Sequence, residues 1–259
     1  MDLNTLDYGD GVVVGLKGVP ETMLMTLYAR AYYSKAHPNR FYDQKSIDIA
    51  AALNYDFSRA HNDIALQQLT ISRTILIDNL VKDFIAEFPD ATIVNIACGL
   101  DTRFFRVDNH KIRWYDIDLS ESMDIRRRFI KDSERMSSIV SSAMDVLWAE
   151  KIGVKSNRTL VIVEGLSMYL EKEAVENIFH IISQHFRNTR VLLKIMPKAH
   201  VTENKYTSIS DKAHFSWGID SGSDLSLCNF IWIHDCNIRT DFHEIMNSKD
   251  EKIAIYEQV

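Results

Sequence analysis

At Pro89 the spacing of apolar residues changes period, from the three-to-four residue repeat of helices to short runs of strand length. A chain that alternates such runs with helical stretches builds a mostly parallel sheet with helices on both faces. "TIVNIA", "IRWYDID", "SSIVSSA", "TLVIVEG" and "RVLLKIM" are the five expected parallel strands in chain order. Helices are expected between them at 121–131, 146–151 and 172–186. "NFIWIHD" and "KIAIYEQ" are expected to close the sheet as an antiparallel pair, for seven strands in a doubly wound, Rossmann-like α/β fold.

Residues 1–88 read as a helical cap. A helix entered through Pro20 puts Met23, Leu27, Ala31 and Tyr32 near one face and stops at "HPN". A short helix follows over 46–53, then a long one over about 60–88 with a break expected near Thr70. Residues 89–259 form the core, and the polar stretch 198–225 is expected to be a lid. With 46% hydrophobic residues and no separating linker, all 259 residues are expected to form one domain.

Charge and cysteine content narrow the function. A net charge of −6 disfavours nucleic acid as a partner and leaves a small molecule as the expectation. No apolar run is long enough to span a bilayer, and the N-terminus lacks the pattern of a signal peptide. Three cysteines outside any CxxC fit a reducing compartment, so a cytoplasmic location is expected. His234 and Cys236 alternate along one strand but have no further spaced partners, so no metal is expected.

In an open α/β sheet, ligands sit at the carboxyl ends of the strands. After the first strand comes "ACGLDTR", whose Gly99 is either an ordinary turn residue or one that lets a ligand approach bare backbone. A dinucleotide fingerprint would have three glycines here, so a pyrophosphate is poorly served and a nicotinamide enzyme disfavoured. The second strand ends in "YDIDLSE", about twenty positions on, where a carboxylate accepts from ribose hydroxyls. Asp118, at the strand's end, is the better placed of Asp116 and Asp118; the alternative is a solvated strand end. Asp145, after the third strand, suits either an adenine amino group or a helix N-cap. Glu164, ending the fourth, suits either a ligand ammonium or a buried pair with Arg73 or Arg103. Adenosine joined to an amino acid without phosphate is S-adenosylmethionine, leaving S-adenosylhomocysteine as product.

From "GVPETMLMTLYARAYY" through "ATIVNIACGLDTRFFRVD", "RWYDIDLSES" and "VEGLSMYL" to "HFSWGID", the chain resembles the class I methyltransferases of the leucine carboxyl methyltransferase type. It is most similar to their bacterial branch of tetracenomycin-type polyketide O-methyltransferases. The resemblance implies O-methylation of a carboxylate or hydroxyl on a small, polyketide-like molecule by a monomer or homodimer. Methylation of a protein C-terminus, or cofactor binding without turnover, are the alternatives. It implies Arg73 on the cofactor carboxylate with Tyr169 nearby, and Gly99, Ala97, Cys98 and Gly165 along the methionine part. Asp118 and Leu119 are implied at the ribose, Asp145 and Val146 at the adenine, and Glu164 at the ammonium. Arg30 is implied at either carboxylate, with Tyr28 beside it in the cap. A carboxylate acceptor needs only a cation to hold it, for which Arg30 is the candidate; a hydroxyl gains from a base, for which His214 is the first choice and His61 the weaker one. Trp217 and His214 would line the acceptor pocket, with Arg30, Tyr169 and His214 as the catalytic set. Scattered histidines are equally readable as surface or packing residues. Ala97 stands where the family usually carries glycine, which is tolerable if its φ stays negative. Arg126, Arg127 and Arg128 are expected on a solvated helix face.

Overall fold

The computed structural model describes residues 11–16, 18–153, 157–202, 214–238 and 251–259. The cap comprises β1 (Val12–Val13), α1 (Thr22–Ala36), α2 (Gln44–Ala52), β2 (Leu53–Asn54), α3 (Ser58–Asn62) and α4 (Ile64–Glu87). β1 and β2 pair in parallel as a two-stranded sheet of their own. Side-chain caps explain two of the helix starts: Asp43 Oδ1 accepts from Ser46 N at 2.9 Å ahead of α2, and Asp63 Oδ1 accepts from Leu66 N at 2.9 Å ahead of α4. The Asp63 cap also moves the expected break. The chain interrupts at Asp63, between α3 and α4, and α4 runs without a break through the buried Thr70.

The core alternates β3 (Thr92–Ile96), α5 (Phe104–Val107), β4 (Arg113–Asp118), α6 (Ser120–Phe129), β5 (Met136–Val140), α7 (Leu147–Ile152), β6 (Thr159–Val163), α8 (Lys172–His185), β7 (Thr189–Ile195), α9 (Lys198–Thr202), β8 (Phe230–Asn237) and β9 (Lys252–Gln258). Its seven-stranded sheet has the order β5-β4-β3-β6-β7-β9-β8. β5, β4, β3, β6 and β7 run parallel, and β9 and β8 close the sheet antiparallel. The sequence expectation of class I, Rossmann-like topology is met strand by strand.

Period-two alternation divides the core. Ile93, Leu160, Ile162, Leu192, Ile253 and Ile255 face the cap helices, while Val94, Ile96, Val161, Val163, Val191 and Leu193 face α7 and α8. β3 and β6, buried at every position, sit at the centre. Strand order reverses between them, so their carboxyl ends open the crevice where such sheets bind ligands.

Of the expected lid, α9 and residues 214–225 are described; residues 203–213 lie outside the described residues. Ser216 N donates to Met168 O at 2.8 Å, laying the second part of this stretch along the turn that follows β6. Among the described residues no helix is long and apolar enough to cross a membrane. Cys98, Cys228 and Cys236 are free thiols.

Candidate active site

The turn after β3 is pinned from three sides. Gly99 N donates to Asp118 Oδ2 at 2.6 Å, and Leu119 N donates to Asp118 Oδ1 at 2.7 Å, so one carboxylate ties the exit of β3 to the exit of β4. From α6, Arg126 donates to the carbonyls of Gly99 at 3.0 Å and Asp101 at 2.7 Å, and pairs with the buried Asp116. From above, α1 lies on the turn: a Cβ on Gly99, whose φ is +48°, would meet Met23 Cβ at 2.9 Å. Glycine is required there for both conformation and space.

Arg126 corrects the sequence reading. Only 1% exposed, it is an interior clamp, whereas Arg127 and Arg128 do face solvent. Ala97 differs too, because its φ is +55°, in the left-handed region rather than at the negative value the sequence reading required. Cys98 points away from the cleft into the interior, its N–H donating to Ile117 O, and burial pushes its thiol well above the ordinary range.

A cleft of about 270 Å³ opens over this turn. One end is formed by Gly99, Asp118, Leu119 and Ser122 with Ser141–Met144 from the exit of β5; the other by Val19, Pro20, Thr22 and Met23 of the cap with Gly165, Leu166, Tyr169 and Leu170. Ala97 and Ile117 lie along the same lining. Gly165, at φ +71°, has nothing within 4 Å of the place its Cβ would take, so a side chain there would intrude on the cleft. Burial raises the Asp118 carboxyl above its usual range, opposed chiefly by the N–H groups of Gly99 and Leu119. At this rim Asp118 offers further lone pairs, an acceptor chemistry suited to a pair of donating hydroxyls such as those of a ribose.

Behind the cleft lies a buried ionic network that the motif "LDTR" organises. Arg103 reaches Asp78 at 2.8 Å, Asp101 at 2.5 Å and Glu164 at 2.8 Å. Arg73 pairs with Glu164 at 2.6 Å, and Arg106 joins Asp43 at 2.6 Å to Asp78 at 2.7 Å. Thr102 Oγ1 donates to Asp43 Oδ2 at 2.6 Å. Burial alone would raise Glu164, but Arg103 and then Arg73 outweigh it and hold the carboxyl below the ordinary range. Asp101 behaves likewise, with Arg103 the foremost of the cations that overcome burial. The two charges and the threonine of Asp101, Thr102 and Arg103 therefore bind the cap to the sheet. Both partners weighed for Glu164 are present at once.

The structure separates the sequence-predicted residues into groups. Ala97, Gly99, Asp118, Leu119, Gly165 and Tyr169 line the cleft. Arg73 and Glu164 stand behind it as an ion pair whose Glu164 side chain is 17% exposed. Arg30 is turned away: its guanidinium donates to Leu100 O at 2.8 Å and Ser46 Oγ at 3.1 Å, and lies 3.6 Å from Asp43. Tyr28 is interior to the cap, hydrogen-bonded to His61 Nδ1 at 2.8 Å and stacked on Phe57. Asp145 and Val146 sit in a neighbouring groove with Asn177 and His180, and Asp145 Oδ1 accepts from Leu147 N at 3.0 Å just ahead of α7. His214 is exposed, and Trp217 packs on the hydrophobic cluster beneath α8. Neither is among the cleft-lining side chains.

Sequence reading passed over Ser122, Ser141, Ser142 and the Val19–Thr22 turn. The small-residue exit "SSA" of β5 was the available signal for the first part, since small side chains leave room at a strand end. Among the described residues no group of three His, Cys, Asp or Glu could hold a metal ion.

A sequence profile of the leucine carboxyl methyltransferase family matches residues 23–183. The chain is 28% identical over 218 residues to the tetracenomycin polyketide synthesis O-methyltransferase TcmP of Streptomyces glaucescens, covering 83% of this chain and 80% of the relative. It is 30% identical over 206 residues to the S-adenosyl-L-methionine-dependent methyltransferase dpfgK of Gibberella zeae, covering 74% of this chain and 68% of the relative. Among solved structures, magnesium protoporphyrin IX methyltransferase of Synechocystis with bound S-adenosylhomocysteine superposes with a TM-score of 0.52 at 9% identity, over 89% of this chain and 98% of that one, a likeness of fold.

Proposed function

Because the chain belongs to the leucine carboxyl methyltransferase family, we propose that it is an S-adenosylmethionine-dependent O-methyltransferase whose acceptor is a carboxylate or hydroxyl of a small, polyketide-like molecule. The observation that carries the reading is the pairing of Gly99 N with Asp118 beneath a cleft kept open by Gly165 at the point where strand order reverses. The residues present fit the cofactor. Asp118 would take the ribose hydroxyls, Ser141–Met144 would border the adenine, and Gly99 and Gly165 would leave the methionine part room against bare backbone. Arg73 and Glu164, opposite charges at the inner end, complement an α-carboxylate and an α-ammonium.

When bound, S-adenosylmethionine supplies an electrophilic methyl group. The chain's task is then to hold the acceptor oxygen in line with it and keep water out, and positioning of this kind provides much of an enzyme's rate advantage. Val19, Pro20, Met23, Leu166 and Leu170 supply the apolar wall. The described part of residues 1–88 would act as the cap of a single catalytic unit, and the three free thiols support a cytoplasmic setting.

Calorimetric titration of the full chain with S-adenosylmethionine, S-adenosylhomocysteine and NAD tests the assignment. Binding of the first two without the third is expected, followed by methyl transfer to members of an aromatic hydroxyl and carboxylic acid panel. Binding of NAD alone would overturn it.

A further inference from the structure

We propose that the protein carries a second binding site, apart from the cleft, for a small aromatic anion: a cavity between the α1–α2 loop, α4 and α5, where Lys45 and Lys82 meet the charge and Phe105 and Ile75 meet the ring. The proposal goes beyond the methyltransferase reading and does not rest on it. The cavity has a volume of about 580 Å³, within the range of small-molecule sites, and shares no lining residue with the cleft.

The first observation is the sign of its charge. Part of the cavity wall is the outer end of the buried ionic network, where Arg106 joins Asp43 to Asp78 and lies 5.3 Å from the centroid of the Phe41 ring. Within that network Arg30, Arg73, Arg103 and Arg106 balance Asp43, Asp78, Asp101 and Glu164, so the two lining carboxylates add no net negative charge. Outside it, Lys45 and Lys82 stand against Asp48, which already accepts from Gln44 Nε2 at 2.7 Å. Lys45 rests over the Phe105 ring with Nζ 5.6 Å from its centroid, and Lys82 is exposed on α4; among the described residues no carboxylate pairs with either. In a chain of net charge −6 this recess therefore presents cations, and its concave wall concentrates their field on whatever enters.

The second observation is the apolar surface beside those cations. Phe105 is 48% exposed at the cavity, whereas its neighbour Phe104 is buried in the core, and the half-buried Ile75 of α4 lines the same space. An exposed ring gains by covering itself with another ring, and offset or edge-on aromatic contacts add to the area removed from water. Inorganic phosphate would use the lysines and leave Phe105 wet, and a neutral aromatic would cover Phe105 and leave the lysines without an anion. A ring that carries an anionic group satisfies both.

The test is methyl NMR of the full chain labelled at isoleucine δ1 positions, the Ile75 signal being assigned with Ile75→Val. Ile75 lines this cavity and not the cleft, so its signal reports on this site whether or not S-adenosylmethionine binds elsewhere. Titration with 1-naphthoate is expected to shift the signal to saturation, with an affinity about tenfold above that for methyl 1-naphthoate, the scale of two partly exposed ion pairs, and above that for inorganic phosphate. Lys45→Met combined with Lys82→Met should remove that advantage of the acid and leave the ester unmoved, while Phe105→Ala should weaken acid and ester alike. No saturating shift with naphthoate, equal binding of the ester or of phosphate, or an acid affinity untouched by the lysine pair or by Phe105→Ala overturns the proposal, and each leaves the methyltransferase reading standing.

Discussion

Asp118 holds Gly99: the backbone N–H of the glycine lies 2.6 Å from one oxygen of a carboxylate nineteen residues later, and the other oxygen takes Leu119 N at 2.7 Å. The same group shapes the turn and lines the cleft, so its loss is expected to disturb local structure and ligand binding together. Asp118→Ala is expected to weaken S-adenosylmethionine binding by about 10- to 100-fold, the range for loss of hydrogen bonds to a charged group. Asp118→Asn keeps one acceptor oxygen and should fall between that variant and wild type. Calorimetry measures both, with circular dichroism confirming that the fold persists; unchanged affinity in both would remove Asp118 from the site.

Ala97 is a position where the protein carries strain. Its φ of +55° costs a residue with a Cβ roughly 1–2 kcal/mol relative to glycine. Ala97→Gly should therefore raise the melting temperature by roughly 2–4 °C, after part of the gain is returned as backbone entropy of the unfolded chain. Ala97→Val, adding a branched side chain to the same conformation, should lower it. A differential scanning measurement on the three proteins decides the matter, and equal melting temperatures would mean the conformation is not strained.

Three adjacent arginines on α6 offer an internal control. Arg126 is 1% exposed and holds Asp116 together with two carbonyls of the glycine turn, whereas Arg127 and Arg128 face solvent. Removing one partner of a buried pair costs about 3–5 kcal/mol, because the other charge is left without compensation. Arg126→Ala should lose stability on that scale in urea unfolding, and Arg128→Ala should stay within roughly 0.5 kcal/mol of wild type. Equal effects would show that the clamp contributes nothing.

The contrast between Arg126 and its neighbours also shows where sequence stops being informative. Strands were legible because apolar runs such as "TLVIV" and "RVLLKI" are long enough to be buried on both faces, and burial of that kind has one common solution. Gly99, Asp118 and Gly165 were legible because strand ends in such a sheet converge on one crevice. Arg30, Asp145 and Glu164 were harder, since a charged side chain has the same letter whether it meets a ligand or another chain segment. Arg30 found Leu100 O and Ser46, Asp145 found Leu147 N, and Glu164 found two arginines. Partners up to ninety-one residues away in sequence decide such cases, and periodicity carries no record of them.

That distant pairing makes the fold sensitive to acid in a defined way. Glu164 and Asp101 are held below their ordinary ranges, so each takes up a proton less readily in the folded chain than in the unfolded one. Their stabilisation is complete above the unfolded carboxylate range, about pH 4, and is lost progressively as the pH falls through the depressed folded values. Asp116 and Asp118 are displaced upward by burial and act with the opposite sign, losing stability as pH rises through theirs, so the total slope is a difference between the two sets. Glu164→Gln isolates one member. It leaves Arg73 and Arg103 with one anion fewer, so the variant should be less stable than wild type at pH 7. Because Gln cannot titrate, the gap should narrow as wild-type Glu164 becomes protonated, and the urea midpoints of the two proteins should converge between pH 5 and pH 3, the window set by the unfolded glutamate near 4.3 and a lower folded value. Parallel midpoints across that window would mean that Glu164 titrates alike in the folded and unfolded chains and is not held by Arg73 and Arg103.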